Sequence, residues 1–212
     1  TVERLDKDAV ICCVHDCHPT DTEPKQRLTL FMALPKGDKM EWIVQKAVEL
    51  GVSNIVPYLS KNCVSRPDKT DKKVERWRKI AAEAAKPCGR GVLPTVGAVI
   101  PVGQAIAQAA QSETALFLYE NERQTGLRDA LAAGVGKDVS LLVGPEGGFA
   151  PEEAEAARQA GLKSVSLGTR ILRCETAPVA ALAAILFAGG KLGMKKRACR
   201  HCKKAMWRRK QS

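Results

Sequence analysis

A chain of 212 residues, 45% apolar but only 4% aromatic, can bury one α/β-sized core, and that core must rest on Ala, Val, Leu and Ile rather than on rings. The formal charge of +11 is lopsided: Lys195 to Lys210 carry nine Lys and Arg and no acid, while residues 1–192 hold 25 basic against 23 acidic side chains, so the body is nearly neutral and the tail suits a polyanion. The longest apolar run, Pro178 to Ala188, is too short to span a bilayer, and eight irregularly spaced Cys argue for reduced thiols, so a cytoplasmic protein without a membrane span is expected.

In chain order, Ala9–Val14 and Arg27–Leu34 read as strands. The polar link Asp16–Gln26 between them, with Pro19, Thr20, Asp21 and Pro24, marks a domain boundary. Asp38–Leu50 reads as a helix, with Asp38 as cap, Glu41 at the capping-box position and Gly51 beyond its end; Met40, Ile43, Val44, Ala47 and Leu50 form its apolar stripe. Val52–Leu59 is a strand, and Asp71–Lys86 a helix stopped by Pro87, with Val74, Trp77, Ala81 and Ala84 inward. Then follow a strand at Thr114–Tyr119, a helix at Gly126–Ala133, a strand at Val139–Val143, and a helix at Pro151–Ala160 with Glu152 and Glu153 in its first turn. Lys163–Leu167 is a last strand. Ala177–Ala188 is an Ala-rich helix apolar on nearly every side, expected to be buried on most of them. Such alternation predicts a largely parallel sheet covered by helices, with ligands beyond the carboxyl ends of its strands.

Two loops stand out. Leu141-Leu-Val-Gly-Pro-Glu-Gly-Gly-Phe149 runs an apolar strand into three glycines, which let a backbone turn sharply and approach a ligand. It lacks the Lys-Ser/Thr ending of a phosphate loop and is not GxGxxG; alone, it also fits a tight strand-to-helix turn with no ligand, the lesser of the two readings. Ser166-Leu-Gly-Thr-Arg-Ile-Leu-Arg-Cys-Glu-Thr-Ala-Pro178 again leaves a strand through glycine. It sets Arg170, Arg173 and Glu175 beside an apolar helix that Thr176 can cap. Charges in such a place need a partner or a ligand.

Cys12-Cys-Val-His-Asp-Cys-His18 is dense in metal-ligating types, but strand alternation sends adjacent members to opposite faces. Cys199-Arg-His-Cys202 is a lone CxxC. No metal site is expected from either.

The chain resembles the RsmE family, uracil-N3 methyltransferases of small-subunit ribosomal RNA within the SPOUT (α/β-knot) superfamily. The resemblance runs from about Leu28 to Gly190. It rests on Lys36-Gly-Asp-Lys-Met-Glu41, Gln45-Lys-Ala-Val-Glu-Leu-Gly-Val52, Arg76-Trp-Arg-Lys-Ile80 with Glu83 and Gly89-Arg90, Gly144-Pro-Glu-Gly-Gly-Phe149, and Leu167-Gly-Thr-Arg-Ile-Leu-Arg-Cys-Glu-Thr-Ala177. It implies an α/β fold: a SPOUT-type parallel sheet with a C-terminal trefoil knot, rare among folds. Residues 1–24 would be the remnant of an N-terminal PUA-like β-barrel, 25–192 the methyltransferase domain and 193–212 a basic tail. It also implies S-adenosylmethionine as methyl donor, a homodimer, and small-subunit ribosomal RNA as partner.

On this resemblance the donor sits among three loops, formed by Leu118 and Tyr119; by Gly144, Pro145, Glu146, Gly147 and Gly148; and by Leu167, Gly168, Ile171, Leu172, Thr176 and Ala177. Backbone groups of Leu167, Ile171 and Leu172 would hold the adenine. The sequence departs from the family pattern at Lys61-Asn-Cys-Val64, where Arg-Ser is usual, at Lys86-Pro87, and at Cys174, where Thr is usual.

N3 of uridine must lose a proton before it attacks a methyl group. Glu175 is the first candidate base and Glu146 the second, with Arg170 and Arg173 as stabilisers of the uridine anion. Lys36, Lys46, Arg76 and Arg90 are candidate phosphate contacts. A knotted methyltransferase acting on ribose 2′-OH and a non-catalytic RNA-binding protein are the alternative readings.

Overall fold

The structure is a computed structural model that describes residues 1–16, 22–64 and 70–190. Strands β1 (Val2–Leu5) and β2 (Val10–Cys12) form an antiparallel hairpin that belongs to no larger sheet, and it exposes Val2, Leu5 and Val10. The main sheet begins at β3 (Arg27–Ala33). Five of its seven residues are buried, as the two-faced burial of a parallel strand demands. Helix α1 (Lys39–Glu49) follows and buries Met40, Ile43, Val44, Ala47 and Val48, the 3–4 spacing of one helix face. Next come β4 (Asn54–Leu59) and α2 (Thr70–Ala85), which packs on α1 through Val74, Trp77, Ala81 and Ala84.

Two short strands, β5 (Thr95–Val96) and β6 (Ile100–Pro101), both pair with β4. Helix α3 (Val102–Ala109) has no counterpart in the sequence reading. It buries Ala105, Ile106 and Ala109, and the Ala109 carbonyl accepts a hydrogen bond from the buried Ser140 hydroxyl at 2.7 Å. Then come β7 (Thr114–Leu118), a single turn α4 (Leu127–Ala130), β8 (Asp138–Val143), α5 (Pro151–Gln159), β9 (Lys163–Val165) and α6 (Thr176–Ala188).

The strand order is β5-β4-β3-β8-β7-β9, and every pair in this sheet is parallel. The chain builds outward from β3 to β4 and then crosses to the other half of the sheet, so the order reverses where β8 lies between β3 and β7. That reversal is where an open α/β sheet leaves a crevice at its carboxyl ends.

Local expectations needed correction. The helix expected at 126–133 shrinks to Leu127–Ala130, and β9 stops at Val165, with Ser166 making only an isolated bridge to Gly126. Asp38 occupies the cap position of α1 without a side-chain cap bond; its carbonyl accepts the Glu41 amide instead. Thr176 is the first helical residue of α6, not its cap; Glu175 holds the cap position. Helix α6 buries one face (Pro178, Ala181, Leu182, Ile185, Leu186) against α1 and β8 and leaves Phe187 72% exposed, so among the described residues nothing encloses it.

Among the described residues, no helix is long and apolar enough to cross a membrane, and no group of three His, Cys, Asp or Glu gathers as a metal site. Cys17, His18, the Cys199–Cys202 pair and the basic tail lie outside the described residues.

Candidate active site

The carboxyl ends of β7 and β8 and the segment after β9 surround a cleft of about 550 Å³, a volume within the range of small-molecule sites. Each wall is held by bonds that the sequence did not announce. At the end of β8, the buried Tyr58 hydroxyl donates to the Val143 carbonyl at 2.8 Å and fixes the strand where the glycines begin. The turn closes from the Gly148 amide to the Pro145 carbonyl, and Gly148 adopts φ +69°, a conformation that favours glycine. A Cβ at Gly148 would run into the Glu120 carboxylate.

The Asn62 side-chain amide donates to the carbonyls of Gly147 and Gly148, both at 3.2 Å. Below it, the buried Glu153 carboxylate accepts the Ser60 hydroxyl at 3.0 Å, the Lys61 amide at 2.8 Å and the Ala150 amide at 3.0 Å. One side chain of α5 thereby ties the end of β4 to the end of the glycine loop. Asn62 stands in the stretch that departs from the family pattern, and the structure gives that departure a task.

The wall after β7 is pinned by Glu122, which accepts the Gln124 and Thr125 amides and the Ser164 hydroxyl. The Ser164 hydroxyl first, and then the Gln124 amide, hold the Glu122 carboxyl at about 2. Tyr119 is flanked by the Arg158 guanidinium, 5.2 Å from its ring centre. On the third wall, the Ser166 hydroxyl bonds both the amide and the carbonyl of Gly168, whose φ is +107°.

Of the residues picked from the sequence, Leu118, Tyr119, Gly144, Pro145, Glu146, Gly147, Gly148, Leu167, Gly168, Ile171, Leu172 and Ala177 all line this one cleft, and so do Arg170 and Arg173. Thr176 does not; it faces outward at the start of α6. Nor does Glu175 line it, but its carboxylate oxygen stands 3.3 Å from the Lys39 ammonium, which does.

Lys39 is the residue that sequence reasoning missed. Its ammonium also donates to Glu146 at 2.9 Å, and the Lys36 amide donates to the same carboxylate at 3.1 Å. A signal was available: Lys39 is the first residue of α1, where the helix dipole disfavours a cation unless an anion stands beside it.

The Glu146 hydrogen bond raises Lys39 above its ordinary value. Burial alone would raise the Glu146 carboxyl, but Lys39 and the amides of Glu146 and Lys36 outweigh it and hold it below the usual range. Glu175 is likewise held low, first by its own backbone amide and then by Lys39. Burial, with Glu146 nearby, pushes the Cys174 thiol up to about 12.

The four expected phosphate contacts divide. Lys36 is exposed, and only its backbone amide is engaged by Glu146. Lys46 pairs with Glu49 at 2.9 Å on the same helix, and Arg76 pairs with Glu41 at 2.8 Å. Arg90 corrects the expectation. Its side chain is 3% exposed, donates to the Val48 and Val52 carbonyls at 2.8 and 3.1 Å, and pairs with Glu23 at 2.8 Å. It fastens the segment before β3 to the α1–β4 turn and has no face left for a phosphate.

A crevice at the carboxyl edge of a parallel sheet, walled in part by two glycine loops and rimmed with Arg170 and Arg173, has the form of a small-molecule site of an α/β enzyme. The comparisons agree. The model of the RNA methyltransferase domain family matches residues 22–186. The ribosomal RNA small subunit methyltransferase E of Bacillus subtilis is 35% identical over 193 residues, covering 88% of this chain and 75% of that protein. A solved ribosomal RNA small subunit methyltransferase E from Neisseria gonorrhoeae, bound to S-adenosyl methionine, is 37% identical with a TM-score of 0.72, over 79% of this chain and 69% of that one. A putative methyltransferase from Legionella pneumophila, in complex with the same cofactor, is 31% identical with a TM-score of 0.77, over 88% and 76%. The chain belongs to this family of RNA methyltransferases.

Proposed function

We propose that the protein transfers a methyl group from S-adenosylmethionine to N3 of a uridine in small-subunit ribosomal RNA. The observation that carries this reading is the junction of two chemistries in one cleft: a glycine-loop cradle, and a rim bearing Arg170 and Arg173 next to the ionised Glu175. The cradle fits the donor. Gly144 has Phe149 side-chain carbons 3.2 Å from where a Cβ would stand, so only bare backbone is presented there, and Leu167, Ile171 and Leu172 supply the apolar walls for an adenine. When bound, the donor supplies a methyl group on a sulfonium, a good leaving group that needs no metal.

The protein's own contribution is orientation and charge. Glu175, held ionised, accepts the N3–H of an unpaired uracil. Its lowered affinity for protons makes it a weak base alone, so the exposed guanidinium groups of Arg170 and Arg173 must stabilise the uridine anion as it forms. The uracil has to leave its stack to reach this rim.

The same reading extends to the assembly. The trefoil knot that the family resemblance implies belongs to this reading. The outward face of α6, with half-exposed Ala180 and Ala183 and exposed Phe187, supports a homodimer contact. Exposed apolar side chains on the β1–β2 hairpin support reading residues 1–24 as part of a PUA-like domain, ahead of a methyltransferase domain at 25–192 and a basic tail at 193–212. We place the protein in the cytoplasm.

The test is incubation of labelled donor with undermethylated small ribosomal subunits, followed by nucleoside analysis. The expected product is 3-methyluridine, lost in Arg173→Ala and Glu175→Ala while donor binding persists. A 2′-O-methyl product would replace this reading with ribose methylation. Absence of any heat on mixing with S-adenosylmethionine would leave only an RNA-binding protein.

A further inference from the structure

We infer that Lys39 is a positioning residue for methyl transfer: its ammonium cross-links the glycine loop, through Glu146, to the 167–177 segment, through Glu175. The inference rests on the reading above, which puts the donor against the first of these segments and the target base against the second.

Most ion pairs at a protein surface contribute little, and the bland interpretation of Lys39 is one more of them. Three features separate it from the exposed pairs of this chain, such as Lys86 with Glu83, where both partners are about 70% exposed. First, the three side chains are only 33%, 27% and 22% exposed, so solvent screens them less. Second, the three groups come from three separate segments, α1, the loop after β8 and the loop before α6, whereas the Lys46–Glu49 and Lys86–Glu83 pairs join neighbours on a single helix or helix end. Third, the bonding is unequal. Lys39 makes a formed hydrogen bond to Glu146, but the Glu175 oxygen facing it at 3.3 Å has no hydrogen-bond partner although that atom is buried.

The unequal bonding has a chemical use. A carboxylate has two oxygens: Oε2 of Glu175 is buried against Lys39, but the side chain as a whole keeps 22% exposure, so its other oxygen stays open to a donor such as an imide N–H. Glu146 is the fixed end, gripped by Lys39 and by the Lys36 amide. Lys39 therefore sets the distance between the donor cradle and Glu175 while engaging only one of its two carboxylate oxygens. Arg173 also acts on Glu175 by charge without touching the glycine loop, and the Cys174 thiol meets Glu146 as a second, uncharged contact between the two segments; Lys39 is the charged link that reaches both carboxylates.

The test uses the full chain with K39M, which keeps length and removes charge, beside E175Q and the double variant. Donor affinity is read by calorimetry with S-adenosylmethionine, and kcat and KM with small ribosomal subunits. The K39M donor Kd is expected to rise about fivefold, the worth of one such pair. Its kcat is expected to fall about ten- to a hundredfold, as for a misplaced reacting group, with KM for RNA unchanged. In the double variant the K39M loss in kcat should largely vanish against the E175Q background. Wild-type donor affinity in K39M, fully additive losses in kcat, or a change confined to the RNA KM would each overturn the inference. Product identity reports separately on the reaction: a methylated nucleoside other than 3-methyluridine would sink the uridine reading, while the ratios among variants would still decide on Lys39.

Discussion

Replacing Glu153 with Gln keeps the shape of the buried carboxylate that ties the end of β4 to the end of the glycine loop, and removes its charge. The native carboxylate is 7% exposed and accepts three donors, two on one oxygen and one on the other. A Gln oxygen can replace only the oxygen that takes two. Its NH2 then faces the Lys61 amide, donor against donor, and strands that amide at about 1–3 kcal/mol. The two surviving bonds fall from charged to neutral strength, a loss of about 1 kcal/mol each, part of it offset by the cheaper burial of an amide. The expected net destabilisation is about 3 kcal/mol, which for a chain of this size lowers Tm by about 6–12 °C. Urea unfolding followed by circular dichroism, at one fixed protein concentration so that self-association does not enter, measures it directly. Because the far side of the loop forms the cradle, donor affinity should drop as well. A Gln variant within about 0.5 kcal/mol of wild type would refute the argument, since that is the range of surface substitutions away from any anchoring network.

Gly148→Ala forces an L side chain into the left-handed region at about 1–2 kcal/mol and displaces the Glu120 carboxylate, so donor binding measured by calorimetry should weaken while the sheet remains folded. Arg90→Ala removes the ion partner of Glu23, which keeps the Gly91 and Val92 amides, and one donor each from the Val48 and Val52 carbonyls; it should destabilise by about 3 kcal/mol in chemical denaturation, yet leave the salt slope of RNA binding unchanged. Lys36→Ala should leave stability alone and reduce that slope by about 1; the opposite pattern for the pair would restore the phosphate role of Arg90. Cys174, with its thiol pushed up to about 12, stays protonated until strongly alkaline pH, so iodoacetamide at pH 8 should modify the exposed Cys12 well before it; peptide mass spectrometry finding the reverse would contradict its burial.

What the sequence made legible was period and punctuation. Met40, Ile43, Val44 and Ala47 announce the buried face of α1, and Gly144 to Gly148 announce a ligand loop, because both are local patterns. Helix α3 escaped notice since its Val-Gly-Gln-Ala-Ile-Ala-Gln-Ala stretch is only eight residues long, has no side-chain cap and carries no charge, although Ala105, Ile106 and Ala109 do mark a buried face. The long-range partners were not legible at all. Nothing near Arg90 shows that Glu23 will cover it, and nothing near Lys39 shows that carboxylates 107 and 136 residues on will meet it. Charge in a sequence looks free until the fold assigns its partner, which is why arginine and lysine were the residue types most often misjudged.

The middle of the sheet pairs β3 directly with β8, and Arg27 and Asp138, 111 residues apart, form an ion pair at the start of that ladder. On a ribosome adding about 5–20 residues per second, β3 waits roughly 6–20 s after its synthesis before its central neighbour exists. For that interval a seven-residue strand rich in Leu, Phe and Met has β4 on one edge and nothing on the other. Loop closure over such a distance also slows the pairing once β8 is available. The same parallel pairing that opens a crevice for a ligand therefore makes the nascent chain a client for whatever shields bare strand edges during translation.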